Sequence, residues 1–362
     1  MKNIYFHLFN RLREKKPLAM AIIVETKGST PQVPGASALF SSKGLLEGTL
    51  GGGKLEADAQ KKALQALKKK TSFLSEFSLK ANTFAEEEPI CGGEVKILID
   101  ASPEEHRDAF NSLNRSLIQR KPGILATFIN KLSEEKVSLL RYWIERKKKF
   151  EADLGKHFTF FQEEIRNTLS EGRPKLLEIK ENIFPEKAKE NFLFLEPILP
   201  LPQLVIAGAG HIGQAVAHLG SLLNFEVTVI DDRPEFANRE RLPDTDYIIV
   251  KEIGKAVQDF PLSSDTYLVI VTRGHNHDAE ALRQCIASEV AYIGMIGSAR
   301  KIALMRKKFL EEKWATPSQF DRVYAPIGVD INSKTVEEIA ISIAAQLVLV
   351  RSQIQNKIKE IK

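Results

Sequence analysis

The residues of this chain whose types and spacing suit chemistry fall in a few glycine-rich and cationic loops. Gly208, Gly210 and Gly213 stand in G-x-G-x-x-G spacing inside QLVIAGAGHIGQAVAHLG, after an apolar run and ahead of an amphipathic helix, and the next apolar run ends at Asp231. Each glycine has a task in such a turn: Gly208 permits the tight bend, Gly210 lets the backbone approach a pyrophosphate, and Gly213 allows close helix packing. Amides at a helix start favour an anion, and an acid about 20 residues on accepts hydrogen bonds from a ribose, the role expected of Asp231. His211 either caps the turn or faces a ligand phosphate. Arg233 either pairs with Asp232 or Glu235 or does the same.

A second group follows the run that ends at Val271, in TRGHNHD. Two histidines and an aspartate at a strand end suggest a metal. Zinc-type sites need three or four ligands, however, and the other histidines of the chain form no partner cluster. The preferred reading places Arg273, His275 and His277 around an anionic ligand, with Asp278 as the N-terminal cap of the next helix. IGMIGSARK repeats the logic with Ser298, Arg300 and Lys301, for which capping and plain surface charge are the alternative.

The first half has its own glycine loop: Gly48 to Gly53 holds four glycines in six residues just before a helix. Gly51, Gly52 and Gly53 are candidate ligand contacts, with flexible hairpin geometry as the alternative. Gly28-Ser29-Thr30-Pro31 is another small-residue loop. Cys91 precedes Gly92 and Gly93, so its thiol is open to electrophiles, metals or persulfide, although Glu86 to Glu88 do not favour the thiolate. Cys285, inside ALRQCIAS, reads as buried filling.

The elements that must position these groups follow from composition and periodicity. The chain has 362 residues, 43% hydrophobic and 27% charged, with 21 Gly, 16 Pro and 2 Cys. These proportions exclude a disordered chain, a collagen-like repeat and a disulfide scaffold. The net charge of +5, from 52 basic and 47 acidic residues, argues for cations placed locally against an anionic small ligand and not for a nucleic-acid partner. Unpaired cysteines, a polar start and no apolar stretch of about 20 residues predict a cytoplasmic protein without a membrane span. Pro197, Pro200 and Pro202 predict a linker, dividing the chain into residues 1–199 and 200–362.

In the first part, strands are expected at Leu18 to Val24, Ala36 to Phe40, Leu45 to Leu50, Val95 to Ile99 and Ile124 to Ile129, with helices over Lys54 to Lys70 and Glu104 to Ile118. Lys131 to Glu190 is charged and matches no pattern, with Arg146 to Lys149 read as a solvated face. In the second part, strands at Gln203 to Ala207, Glu226 to Ile230, Tyr267 to Val271 and Tyr292 to Ile296 alternate with helices. That alternation predicts a doubly wound parallel sheet whose functional residues sit at the carboxyl ends of its strands. Thr335 and Glu338 fit a capping box before an apolar helix through Leu349.

Taken in order, GSTPQVPGA, GTLGGGKLE, CGGEVKI, GAGHIGQAVA, IDDRPEFANRERLP, TRGHNHD, YIGMIGSARK, PIGVDI and EEIAISIAAQL resemble the xanthine dehydrogenase accessory factors of the XdhC/CoxI type. The resemblance implies an α/β protein with a C-terminal Rossmann-like domain and a separate N-terminal mixed α/β domain. It implies a maturation factor without turnover of its own. Such a factor binds the molybdenum cofactor, as molybdopterin or its dinucleotide form, while a cysteine desulfurase supplies sulfur, and passes it to an apo molybdenum hydroxylase of the xanthine dehydrogenase type. A homodimer is expected, and Cys91 becomes a molybdenum contact. Asn332 departs from the pattern, where members more often have glycine. The competing reading is an NAD(P)-dependent oxidoreductase, which leaves the N-terminal half unexplained.

Overall fold

The structure is a computed structural model that describes residues 4–79, 92–146, 161–180 and 188–360, the side chains of the last helix through Ile354. The chain divides into two compact units, one ending at Pro200 and one beginning at Leu201. Arg146 is exposed, while the rest of the charged run through Lys149 lies outside the described residues, as does Cys91.

The N-terminal unit runs α1 (Ile4–Arg13), β1 (Ala19–Lys27), β2 (Ser37–Ser41), β3 (Gly44–Gly48), α2 (Gly53–Lys69), β4 (Phe73–Ser78), β5 (Glu94–Asp100), a 3-10 turn at Pro103–His106, α3 (Arg107–Ile118), β6 (Gly123–Ser133), β7 (Lys136–Glu145), α4 (Gln162–Glu171), β8 (Lys175–Ile179) and β9 (Glu190–Ile198). Its strands form two antiparallel sheets, ordered β3-β2-β1-β5-β4 and β7-β6-β9-β8. Strand β1 explains the uninterrupted apolar run. Ala19, Ala21 and Ile23 pack with Leu55, Ala59, Ala63 and Ala66 of α2, while Met20, Ile22 and Val24 join a cluster with Tyr5, Leu8 and Phe110 of α1 and α3. Because side chains alternate along a strand, both faces of this one are dry and the pattern reads as continuous instead of alternating.

The charged stretch that matched no pattern contains β7, α4 and β8. Its strands and their neighbours hold polar groups in the core: Arg141 on β7 pairs with Asp100 on β5, both buried, and Tyr5 donates a hydrogen bond to buried Glu196 on β9. Burial pushes the Glu196 carboxyl up to about 7, with Tyr5 and Arg141 acting in the opposite direction.

The C-terminal unit runs β10 (Gln203–Ala207), α5 (His211–Leu222), β11 (Glu226–Asp231), β12 (Tyr247–Val250), α6 (Ile253–Asp259), β13 (Thr266–Ile270), α7 (His275–Cys285), β14 (Tyr292–Met295), α8 (Ala299–Glu311), α9 (Pro317–Asp321) and α10 (Val336–Glu360). The strands are parallel in the order β12-β11-β10-β13-β14. The chain steps outward from β10 to β12, then crosses back to β13 on the other side. The strand order therefore reverses between β10 and β13, and a crevice opens at their carboxyl ends.

Strand β12 was missing from the sequence expectation because Tyr247 and Val250 are exposed on this edge strand, so its burial signal is thin. Cys285 is fully buried filling, its thiol pushed up to about 12 by burial. Thr335 and Glu338 exchange capping bonds through the Thr335 hydroxyl and the Glu338 carboxylate. Asn332 has φ 56, a left-handed conformation that asparagine tolerates and glycine favours.

Candidate functional site

The loop between β10 and α5 is held open by glycines for two different reasons. Gly208 has φ 119, and a Cβ there would lie 2.4 Å from the Val271 carbonyl oxygen; one on Gly213 would lie 1.9 Å from the carbonyl oxygen of Gly208. Both are required by close backbone packing. Gly210, the N-cap of α5, is different: a Cβ there would meet nothing within 4 Å, and no side chain caps the helix. The first turn of α5 is therefore left without a side-chain cap beside open space at Gly210, which suits an anion.

The neighbouring strand repeats the arrangement. Gly274 is the N-cap of α7, again without a side-chain cap and with open space where a Cβ would stand. The crevice between β10 and β13 is thus bordered by two uncapped helix starts. His211 and His275 are exposed and His277 is half-buried, all three in the first turns of these helices.

Several acids and cations differ from the roles their spacing suggested. Asp278 does not cap α7; it lies buried one turn in, where it accepts hydrogen bonds from the Thr272 amide at 3.1 Å, the Thr272 hydroxyl at 2.6 Å and the Lys301 Nζ at 2.5 Å. Lys301 is accordingly an internal partner of the fold and not a surface cation. It also donates to the Ile296 carbonyl at 3.3 Å. Ser298 closes the start of α8 by accepting from the Lys301 amide at 3.3 Å, and Arg300 beside it is exposed, with no ion pair among the described residues.

Asp231 is fully engaged within the protein. Its Oδ2 accepts from the Ala209 amide at 2.7 Å and from Arg233 Nη2 at 2.9 Å, and its Oδ1 from the Arg233 amide at 3.0 Å and Arg233 Nε at 2.9 Å. Burial works to raise its pKa, but these bonds outweigh it and hold the carboxyl below its ordinary value. Arg233 also stacks on Phe236, 4.0 Å from the ring centre, while half-exposed Arg273 reaches Asp232 at 2.9 Å.

The N-terminal unit has a glycine site of its own. Gly51, Gly52 and Gly53 have φ values of 111, 72 and 56, three successive left-handed residues that lead into α2. A Cβ on Gly52 or Gly53 would meet nothing, whereas one on Gly51 would lie 2.7 Å from Pro31 Cγ, and one on Gly93 would lie 2.4 Å from the Ser29 carbonyl oxygen. Three separate sequence loops, around Gly28, Gly51 and Gly93, therefore meet at one place. Gly92 beside them is exposed.

Glu56, which the sequence pattern did not single out, ties this loop down. It accepts from the Thr49 hydroxyl at 2.7 Å and the Leu50 amide at 2.9 Å. Burial works to raise its pKa, but these bonds and one from the Gly52 backbone hold it below the ordinary carboxylate value. An acid in the first turn of a helix after a glycine run was the available signal.

Among the described residues no group of three His, Cys, Asp or Glu side chains is placed to hold a metal ion. Nor does a cavity of about 700 Å³ in the C-terminal unit, lined by Gln203, Glu226, Arg239, Tyr247 and Phe260 among others, include any residue of the glycine loops.

This strand order, with two uncapped helix starts at the reversal, defines a Rossmann-type domain. Residues 204–347 match the XdhC Rossmann domain, and residues 11–78 match the XdhC and CoxI family. The chain belongs to this family, which is related to xanthine dehydrogenase accessory factors. The uncharacterized protein YqeB of Escherichia coli (strain K12) is 35% identical over 152 residues, 42% of this chain and 28% of that protein. The match thus spans little more than a quarter of that relative. A Bacillus subtilis (strain 168) protein, named as a probable subunit of xanthine dehydrogenase, is 24% identical over 365 residues, 98% of this chain and 99% of that one. A crystal structure described as a xanthine dehydrogenase from Bacillus halodurans superposes with a TM-score of 0.74 at 25% identity, covering 96% of both chains. Among the described residues no helix is long and apolar enough to cross a membrane.

Proposed function

We propose that this protein is a maturation factor for a xanthine dehydrogenase-type molybdenum hydroxylase, which binds the molybdenum cofactor, keeps it during sulfuration by a cysteine desulfurase and passes it to the apo-enzyme. The observation that carries the reading is the pair of open, uncapped helix starts at Gly210 and Gly274, beside the reversal of strand order. Molybdopterin ends in a phosphate, or in a nucleotide diphosphate in its dinucleotide form, and exposed amides in open space suit either. His211, Arg273, His275, His277 and Arg300 supply further donors around it. Gly208 and Gly213 shape the loop, and Ser298 holds the start of α8.

In the N-terminal unit the open backbone at Gly52, Gly53 and Gly92, with Gly51 and Gly93 packed beside it, gives a second surface that a pterin can approach. Cys91, next to Gly92 in sequence, is assigned as the soft contact for molybdenum, whose dithiolene environment prefers sulfur. When bound, the cofactor supplies the metal and sulfur chemistry; the chain binds, orients and shields. The protein acts in the cytoplasm as a homodimer in this reading.

Purification after co-expression with molybdopterin biosynthesis is expected to give bound molybdenum and pterin, measured by elemental analysis and pterin fluorescence. Gly210→Val is expected to lose them by filling the space in front of the α5 amides, and Cys91→Ala to lower molybdenum retention. A preparation without pterin but with stoichiometric NAD(P) would overturn the assignment in favour of an oxidoreductase, the reading that the G-x-G-x-x-G loop alone favours.

A further inference from the structure

The acid that ends the second strand of a dinucleotide-binding sheet ordinarily reads a ribose hydroxyl. Here it has no room to do so. A carboxylate offers about four lone-pair directions, and in Asp231 four donors occupy them: the Ala209 amide at 2.7 Å, the Arg233 amide at 3.0 Å, Arg233 Nε at 2.9 Å and Arg233 Nη2 at 2.9 Å. The side chain is only 1% exposed. The Arg233 guanidinium that covers it is itself fixed, stacked 4.0 Å from the centre of the Phe236 ring. One of the four donors, Ala209, lies in the glycine loop between Gly208 and Gly210.

We infer that Asp231 is a positioning residue that holds the Gly208–Gly213 loop in its anion-receiving shape, and that the crevice therefore selects its ligand by phosphate without reading a ribose diol at the end of β11. The inference rests on the proposed phosphate role of the loop and narrows it to phosphorylated ligands whose sugar, where they have one, goes unread at this strand. A pterin with a terminal phosphate and no ribose meets that requirement. The neighbouring Asp232 is half-buried, and its Oδ2 is held by Arg273 at 2.9 Å.

Calorimetric titration of the full chain with inorganic pyrophosphate, ADP and 2′-deoxy-ADP tests this without knowledge of the natural ligand. The wild-type protein is expected to bind ADP and 2′-deoxy-ADP within about twofold of each other, whereas loss of a hydroxyl–carboxylate bond costs roughly tenfold or more. In Asp231→Asn, affinity for pyrophosphate is expected to fall roughly tenfold, and affinity for ADP by the same factor, because an amide has one uncharged acceptor oxygen for the four donors of Arg233 and Ala209, so the loop both ligands share loses its anchor. A tenfold preference for ADP over 2′-deoxy-ADP in the wild type, or a loss confined to ADP in the variant, would overturn the inference. The wild-type comparison stands even where the variant fails to fold. Failure of all three probes to bind would instead remove the phosphate role of the loop, and the inference with it.

Discussion

The two glycine loops look alike in sequence and work differently. Around Gly208 and Gly213, glycine is demanded by neighbouring backbone, since a Cβ on Gly213 would lie 1.9 Å from the Gly208 carbonyl oxygen. At Gly52 and Gly53 nothing crowds the position, and glycine is demanded by conformation, with φ 72 and 56. In the first loop, at Gly213, it is packing that requires glycine; in the second, at Gly52 and Gly53, it is the left-handed backbone. What they share is a carboxylate anchor that accepts loop amides, Asp231 for one and Glu56 for the other. Glycine density is therefore a poor guide to mechanism until the neighbours of each position are known.

Substitutions can break that comparison. The largest effect is expected for Gly213→Ala, which forces backbone apart and should cost about 3 kcal/mol, read as a lower midpoint in urea unfolding of the C-terminal unit. Gly210→Ala, one turn away in open space, serves as its control and should leave the midpoint nearly unchanged. Asp231→Asn should follow at about 2 kcal/mol, because a half-buried guanidinium fork and a loop amide lose their charged acceptor. Gly52→Ala should cost about 1 kcal/mol through backbone strain alone; a loss as large as that of Gly213→Ala would show that the N-terminal loop is also packed shut.

The anchors make a pH prediction whose sign differs from that of a third buried carboxylate. Asp231 and Glu56 are held below their ordinary pKa values, so their contribution is present above the unfolded value, near pH 4, and is lost as pH falls through the folded one. Glu56→Gln should therefore blunt acid unfolding of the N-terminal unit, by under about 1 kcal/mol given its partial exposure. Glu196 accepts a phenol hydrogen bond and no loop amide, and burial raises its carboxyl to about 7. Its contribution is complete below about pH 4.5 and is lost as pH rises through about 7, so thermal unfolding should show the N-terminal unit weakening between pH 5 and pH 8, and Glu196→Gln should flatten that slope.

Much of the architecture was legible because it rests on local pattern. The Gln203–Ala207 strand, the glycine turn and the His211–Leu222 helix followed from an apolar run, G-x-G-x-x-G spacing and helical periodicity. The β7 to β9 region was not legible, because its strands bury ion pairs such as Arg141 with Asp100 inside a half-exposed pattern. At the site, the positions of Gly208, Gly210 and Gly213 were readable, but the partners of Asp231 and Asp278 were not. Asp278 reads as a cap by its place near a helix start, yet it bonds Lys301, 23 residues away.

The sequence by itself determined the glycine turns, the apolar strands and the periodic helices that flank them, and which family the chain belongs to, since these depend on short-range spacing and on motifs in order. Only the tertiary structure decided which charges remain available. It closed Asp231 under Arg233, drew Lys301 inward and brought the loops around Gly28, Gly51 and Gly93 together. The reason is physical: a side chain's role follows from the donors and acceptors packed around it, and packing joins residues that the linear order keeps apart.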